Sequence, residues 1–213
     1  MSNTLVDEVA TAKSATLEPI TVEQYHAMIK QGILLEGSPI ELIDGLLVRK
    51  DRRDKGGNIM TVGPRHASTI IRLTRILSAL IDGPDAHTRS QQPVTLDGTN
   101  EPEPDLSVVS GDIDEYAHHH PGPGAIALVI EVADSSLSFD RGEKFLKYAS
   151  AGIPTYWIVN LNNDTVETYT RPQPKLRTYQ SDRLYQRGDK ISVDVVGKTI
   201  EVAVDDFLAQ PLP

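Results

Sequence analysis

The chain has no cysteine among its 213 residues. That absence excludes a disulfide framework, a thiolate metal site and a cysteine nucleophile, and leaves chemistry to hydroxyl, carboxylate, imidazole and amine groups. No apolar run approaches the roughly 20 residues needed to cross a bilayer. The opening "MSNTLVDEVATAKSATLEP" lacks a basic start followed by a hydrophobic stretch, so no signal peptide is visible. A soluble, cytoplasmic protein without membrane association is expected. Also missing are a G-x-S-x-G elbow, a phosphate loop ending in Gly-Lys-Ser/Thr and a G-x-G-x-x-G turn. Serine hydrolase, P-loop ATPase and dinucleotide enzyme therefore find no support.

Positive charge is also in short supply. With 30 acidic and 21 basic residues the formal net charge is −9, which argues against indiscriminate binding to a polyanion. It does not exclude nucleic acid, because carboxylates that hold a divalent cation make a chain acidic in composition. The basic residues are moreover grouped, as in "VRKDRRDKGG" and "PKLRTYQSDRLYQR".

What is present fits one globular domain: the length and a hydrophobic content of 39% suffice for a sizeable core. Residues 1–18 are polar and aperiodic and read as a flexible tail, with a single domain over 19–213. "TVEQYHAMIKQG" predicts a helix capped by Thr21 and ended by Gly32. "IELIDGLLVRK" places an Asp44-Gly45 turn between two apolar runs and predicts a hairpin. In "RHASTIIRLTRILSALIDG", Ile70, Leu73, Ile76, Leu77 and Leu80 form one helical face ended by Gly83. "HTRSQQPVTLD", "DLSVVS" and "AIALVIEVA" predict strands. "FDRGEKFLKYASAGIP" predicts a helix in which Asp140 and Glu143 resemble a capping box. "TYWIVNLNNDTVETYTR" predicts a hairpin, and "KTIEVAVDDFL" a last strand and short helix. Asn163-Asp164-Thr165, a glycosylation sequon, reads as that hairpin's turn. The expected class is α/β (α+β), a mixed sheet flanked by helices.

Three acids interrupt strand-like apolar runs: Glu41 in "IELIDG", Asp105 in "EPEPDLSVVS" and Glu131 in "LVIEVA". A buried carboxylate needs a partner or shifts to its neutral form. On adjacent strands about 5 Å apart, such acids would converge on a space suited to Mg²⁺ or Mn²⁺, the basis of a phosphodiester-hydrolysing site. Lys144 and Lys147, on the helix after Glu131, could supply the cation that such a site also needs. Each acid taken alone reads equally as a strand-end cap or a lysine partner, and each lysine as a solvated helix residue.

The segments "TVEQYHAM", "IELIDGLLV", "PRH", "EPDLSVV", "VIEVADSS", "DRGEKFLKY" and "AGIPTYWIVN", in this order from about residue 20 to residue 209, resemble the Uma family of restriction-endonuclease-like proteins, a branch of the PD-(D/E)xK nuclease superfamily. The resemblance implies a restriction-endonuclease-like core with added β-hairpins. It places the PD aspartate at Asp105 and the strand acid at Glu131. The usual lysine two residues later is missing, since that position is Ala133, and the family takes it from the next helix at Lys144, four residues before Tyr148. Glu41 matches an additional acid. His66 matches a histidine to which no role is assigned.

A Mg²⁺-dependent (or Mn²⁺-dependent) endonuclease acting on DNA is the implied function. Asp105, Glu131 and the Val132 carbonyl would hold the metal, Lys144 would orient or help deprotonate the attacking water, and Glu41 would bind metal through water or hold Lys144. A homodimer is implied on the same ground. Glu131 is expected near its strand end, where side chains leave the core, so alanine at Asp105 or Glu131 should abolish cleavage with little change in melting temperature. The alternative is a catalytically inactive nucleic-acid-binding or protein-interaction module with the same fold. "AHHHPGPG" reads as a loop rather than a metal site, and Tyr148, Tyr156 and Trp157 as core rather than base-stacking residues. "RKDRRDKGG" reads as a solvated loop, with DNA contact as the other reading.

Overall fold

Residues 17–50 and 63–209 are described by the computed structural model. The proposed tail, apart from Leu17 and Glu18, and most of "RKDRRDKGG" lie outside them. The first helix, α1 (Val22–Lys30), begins with a capping box: the Thr21 side chain accepts from the Gln24 N–H, and the Gln24 side chain accepts from the Thr21 N–H. Strands β1 (Ile40–Ile43) and β2 (Leu46–Arg49) form the expected hairpin. Its turn residues Asp44 and Gly45 both have positive φ, 51° and 69°, as a tight two-residue turn demands. Gly45 is required for a second reason, because a Cβ there would collide with Pro19.

Helix α2 (Pro64–Ile81) buries Ile70, Leu73, Leu77 and Ile81. Leu80, placed by periodicity on the buried face, is 41% exposed. The inward stripe drifts by one position over the helix's length, so Ile81 takes its place. A six-stranded sheet follows, in spatial order β3 (Ala86–Ser90), β4 (Leu106–Ser110), β5 (Ile126–Ala133), β6 (Thr155–Asn160), β7 (Thr165–Gln173) and β8 (Thr178–Gln186). Only the β5–β6 pair is parallel, because the chain between them crosses over through a helix. The predicted strand "HTRSQQPVTLD" stops at Ser90, since Gln91 turns to φ 51°. The basic stretch "PKLRTYQSDRLYQR" contains β8, which was not anticipated.

The crossover helix runs from Leu137 to Ser150 in three consecutive pieces, Leu137–Phe139, Asp140–Lys144 and Phe145–Ser150, here called α3. Its middle turn is widened, with the Phe145 N–H bonded to the Asp140 carbonyl five residues back. Asp140 is thus inside the helix and 2% exposed, and the expected capping box with Glu143 does not form. The chain closes with β9 (Lys190–Val195), β10 (Lys198–Ala203) and a short α4 (Val204–Phe207). One face of the sheet packs on α2, β9, β10 and α4, and the other on α3. Both faces are covered, which explains why β5 reads as an almost unbroken apolar run.

Candidate active site

Alternation along β5 decides where Glu131 points. Leu128, Ile130 and Val132 belong to the core under α2, while Val129 and Ala133 belong to the core under α3. Glu131 shares the parity of the second set and so faces α3. In the antiparallel β4–β5 pair Leu106 lies opposite Ile130. One step further, past the last paired rung, brings Asp105 beside Glu131. Asp105 is fixed there because its Oδ2 accepts the Val132 N–H at 2.8 Å and lies 3.2 Å from His66 Nε2 at the start of α2.

Lys144 leaves the widened turn of α3 and reaches two acids at once. Its Nζ is 2.8 Å from Glu131 Oε1 and 3.2 Å from Glu41 Oε1. Tyr148, four residues on and on the same helical face, donates its hydroxyl to Glu131 Oε1 at 2.8 Å. Glu41 enters from β1. Its Oε1 also accepts the Glu103 N–H at 3.0 Å and lies 3.1 Å from Lys50 Nζ on the β2 side of the hairpin. Its Oε2 is buried without a hydrogen-bond partner among the described residues.

Burial pushes the Glu131 carboxyl up, to about 8, against the pull of Lys144, and Asp140, Asp105 and Glu41 add to the rise. Burial disfavours the Lys144 ammonium, yet Glu131, Glu41 and Asp140 outweigh it and hold the ammonium above its ordinary range. Burial would likewise raise Glu41, but Lys144, Lys50 and the Glu103 amide keep it below the usual carboxylate range. For Asp105, too, burial is overcome: the His66 bond and charge, then the Val132 amide and Lys144, lower it. The result is a gradient inside one cluster, with Asp105 and Glu41 held ionised around a permanent cation and Glu131 the acid whose charge burial opposes most and Lys144 supports. Asp140 is raised, chiefly by burial.

The structure therefore brings Glu41, Glu131 and Lys144 into direct contact and sets Asp105 next to them. What it shows at Val132 is its N–H on Asp105, not its carbonyl. Lys147, the other helix lysine, pairs instead with Asp44 at the hairpin turn. The expectation that Glu131 emerges from the core is corrected: it is 4% exposed and bonded to Lys144 and Tyr148, because α3 lies over the end of β5. Alanine there would leave the buried Lys144 ammonium with Glu41 as its one contacting acid, so the melting temperature should fall. Tyr148, Tyr156 and Trp157 are fully buried, as core residues should be.

Three residues escaped the sequence reading. Asp140, taken for a helix cap, is a further buried acid near Lys144. His26 and Glu101 meet His120, and this trio is the only His and carboxylate set among the described residues whose ligand atoms all lie within 4.8 Å of one another. The carboxylates of Asp105, Glu131 and Glu41 do not form such a set. The histidine run gave a signal for His120, but nothing in sequence ties it to positions 19 and 94 residues earlier. Among the described residues no helix is long and apolar enough to cross a membrane.

Comparison with known proteins agrees with this architecture. No curated protein matches the chain. A solved structure, of a "putative nuclease belonging to DUF820" from Anabaena variabilis, superposes with a TM-score of 0.63 over 89% of this chain and 98% of that one, at 16% identity. At that identity the likeness establishes the shared fold. A family model described as "Putative restriction endonuclease" matches residues 22–205, which takes in every acid and lysine of the cluster. The chain belongs to the Uma2 family of restriction-endonuclease-like proteins.

Proposed function

We propose that this protein is a Mg²⁺-dependent endonuclease that hydrolyses DNA phosphodiester bonds at Asp105, Glu131 and Lys144. One observation carries the reading: the buried ammonium of Lys144 bridges Glu131 and Glu41 beside a third acid that two hydrogen bonds hold ionised. Asp105 and Glu131 would hold Mg²⁺ or Mn²⁺, with the Val132 carbonyl as a further ligand, and two carboxylates suffice for an ion that keeps waters and substrate phosphates in its shell. The donors fit such an ion. They are all oxygens, Lys144 and Tyr148 occupy only Oε1 of Glu131, and a carboxyl that burial has pushed up to about 8 gains from a nearby cation. When bound, the ion would polarise the phosphate and acidify a water.

The chain's own residues then have distinct tasks. Lys144, held as a cation, orients the attacking water and offsets charge developing on the phosphate. It does not take the proton, because its ammonium is held above its ordinary range. Glu41 keeps Lys144 in place, Tyr148 holds the carboxylate of Glu131, and His66 holds that of Asp105. A cytoplasmic homodimer, offering one site to each DNA strand, belongs to the same reading. The competing reading, a catalytically inactive nucleic-acid-binding or protein-interaction module, draws on the mutual neutralisation of Lys144 and Glu131, each with a side chain only 5% exposed.

A plasmid assay separates the two. Nicking or linearisation with Mg²⁺ that stops with EDTA and in Asp105→Asn supports the enzyme. DNA binding without cutting by the wild type supports the module, and cutting of RNA alone would correct the substrate.

A further inference from the structure

We propose that His26, Glu101 and His120 form a second metal site, specific for Zn²⁺ or a similar late first-row transition ion and separate from the acid–lysine cluster. His26 projects from α1, Glu101 from the segment between β3 and β4, and His120 from the loop between β4 and β5. Glu101 Oε1 is 2.6 Å from His26 Nε2, the His26 and His120 rings stand 5.9 Å apart nearly edge to face, and one ligand atom from each of the three lies within 4.8 Å of the others. Two imidazoles and a carboxylate suit Zn²⁺ and its neighbours and do not suit Mg²⁺, which prefers oxygen alone. Three protein ligands leave a fourth position for water.

The setting of Glu101 points the same way. Its side chain is 1% exposed, and His26 is its only basic partner among the described residues. A buried carboxylate facing two imidazoles, with no lysine or arginine in contact, would gain from a bound cation. Thr95 Oγ1 donates to the other oxygen, Oε2, at 2.6 Å, an orienting bond of the kind that ligating carboxylates carry.

The site would act as a clamp. It would join α1 and the His120 loop to the segment that carries Glu101, whose N–H and carbonyl pair with Leu42 next to Glu41. A filled clamp would steady the edge of β1 from which Glu41 reaches Lys144. The proposal does not depend on cleavage, and its ligands are not those of the proposed catalytic ion.

Zinc titration of the full chain, freed of any affinity tag and stripped with EDTA before dialysis, tests it by calorimetry and thermal melting. The expected result is one Zn²⁺ per chain, a melting temperature raised by several degrees, and Co²⁺ bound with the visible absorption of a four-coordinate ion. His26→Ala and His120→Ala should each weaken Zn²⁺ at least tenfold and remove the thermal shift, whereas Asp105→Asn should leave both unchanged. Circular dichroism of the metal-free variants checks that each remains folded. No binding by the wild type would overturn the proposal, as would binding that survives in the His26→Ala/His120→Ala double variant or is lost in Asp105→Asn.

Discussion

Lys144 and Glu131, thirteen residues apart on a helix and a strand, meet through a 2.8 Å contact between Nζ and Oε1. The resemblance to PD-(D/E)xK nucleases would put a lysine two residues after Glu131, but Ala133 stands there, fully buried on Glu131's own face of the sheet with Tyr148 and Ala149. A longer charged side chain there would have to be buried among them. The helix that fills the space delivers the ammonium instead, one turn before Tyr148.

If Lys144 neutralises two buried acids, its loss should be severe. Lys144→Met is expected to cost about 3–5 kcal/mol, because it leaves Glu41 and Glu131 buried without their shared cation. Urea denaturation measures it, and a loss below about 1 kcal/mol would show that the contact contributes little. Lys144→Met/Glu131→Gln should recover part of the loss, since the double variant removes one stranded charge along with its partner.

Lys147 provides the contrast. It lies one helical turn along from Lys144, but its partner Asp44 is a side chain 55% exposed. Lys147→Met should cost under about 1 kcal/mol and leave Mg²⁺-dependent cleavage at the wild-type level. A loss of cleavage there would move the catalytic lysine to Lys147.

Tyr148→Phe isolates one hydrogen bond. The ring is fully buried and keeps its packing, so only the donor to Glu131 disappears, at a cost of about 0.5–1.5 kcal/mol. Cleavage should fall through kcat rather than KM, since the hydroxyl touches Glu131 and not the nucleic acid. An unchanged kcat would remove Tyr148 from the positioning of Glu131.

Away from the site, Asp164 in the β6–β7 turn links Arg65 at the start of α2, at 2.5 Å, to Arg187, at 3.0 Å. Burial would raise its pKa, but the two arginines outweigh it and lower it. A depressed carboxylate stabilises the fold above its unfolded pKa, near 3.9, and that stability is lost as pH falls through the lower folded value. Asp164→Asn should therefore cost about 1 kcal/mol at pH 7, with the difference from wild type shrinking below about pH 4. A difference that does not change between pH 7 and pH 3 would contradict the pairing.

Much of this arrangement was legible in sequence because its causes are local. The Asp44-Gly45 turn, the Thr21 cap and the alternation that lets Glu131 break an apolar strand each depend on a few neighbouring residues. Three features were not legible, for the converse reason. The widened turn at Asp140–Lys144 has no residue signature, and it is what sets Lys144 over β5. The burial of Glu131 depends on α3 folding back across the sheet. The meeting of His26, Glu101 and His120 depends on three segments far apart in the chain. Strand β8 was hidden by its largely polar composition, which fits an edge strand whose outer residues are exposed.

Cleavage as proposed requires a metal ion held between Asp105 and Glu131, and a crystal soaked with Mn²⁺ and examined by anomalous diffraction tests that most directly. The predicted result is an anomalous peak within coordination distance of one oxygen from each acid, with Lys144 Nζ within hydrogen-bond reach of a water on the ion. Density that is absent there, or confined to His26, Glu101 and His120, would contradict the assignment of Asp105, Glu131 and Lys144 as the cleavage site.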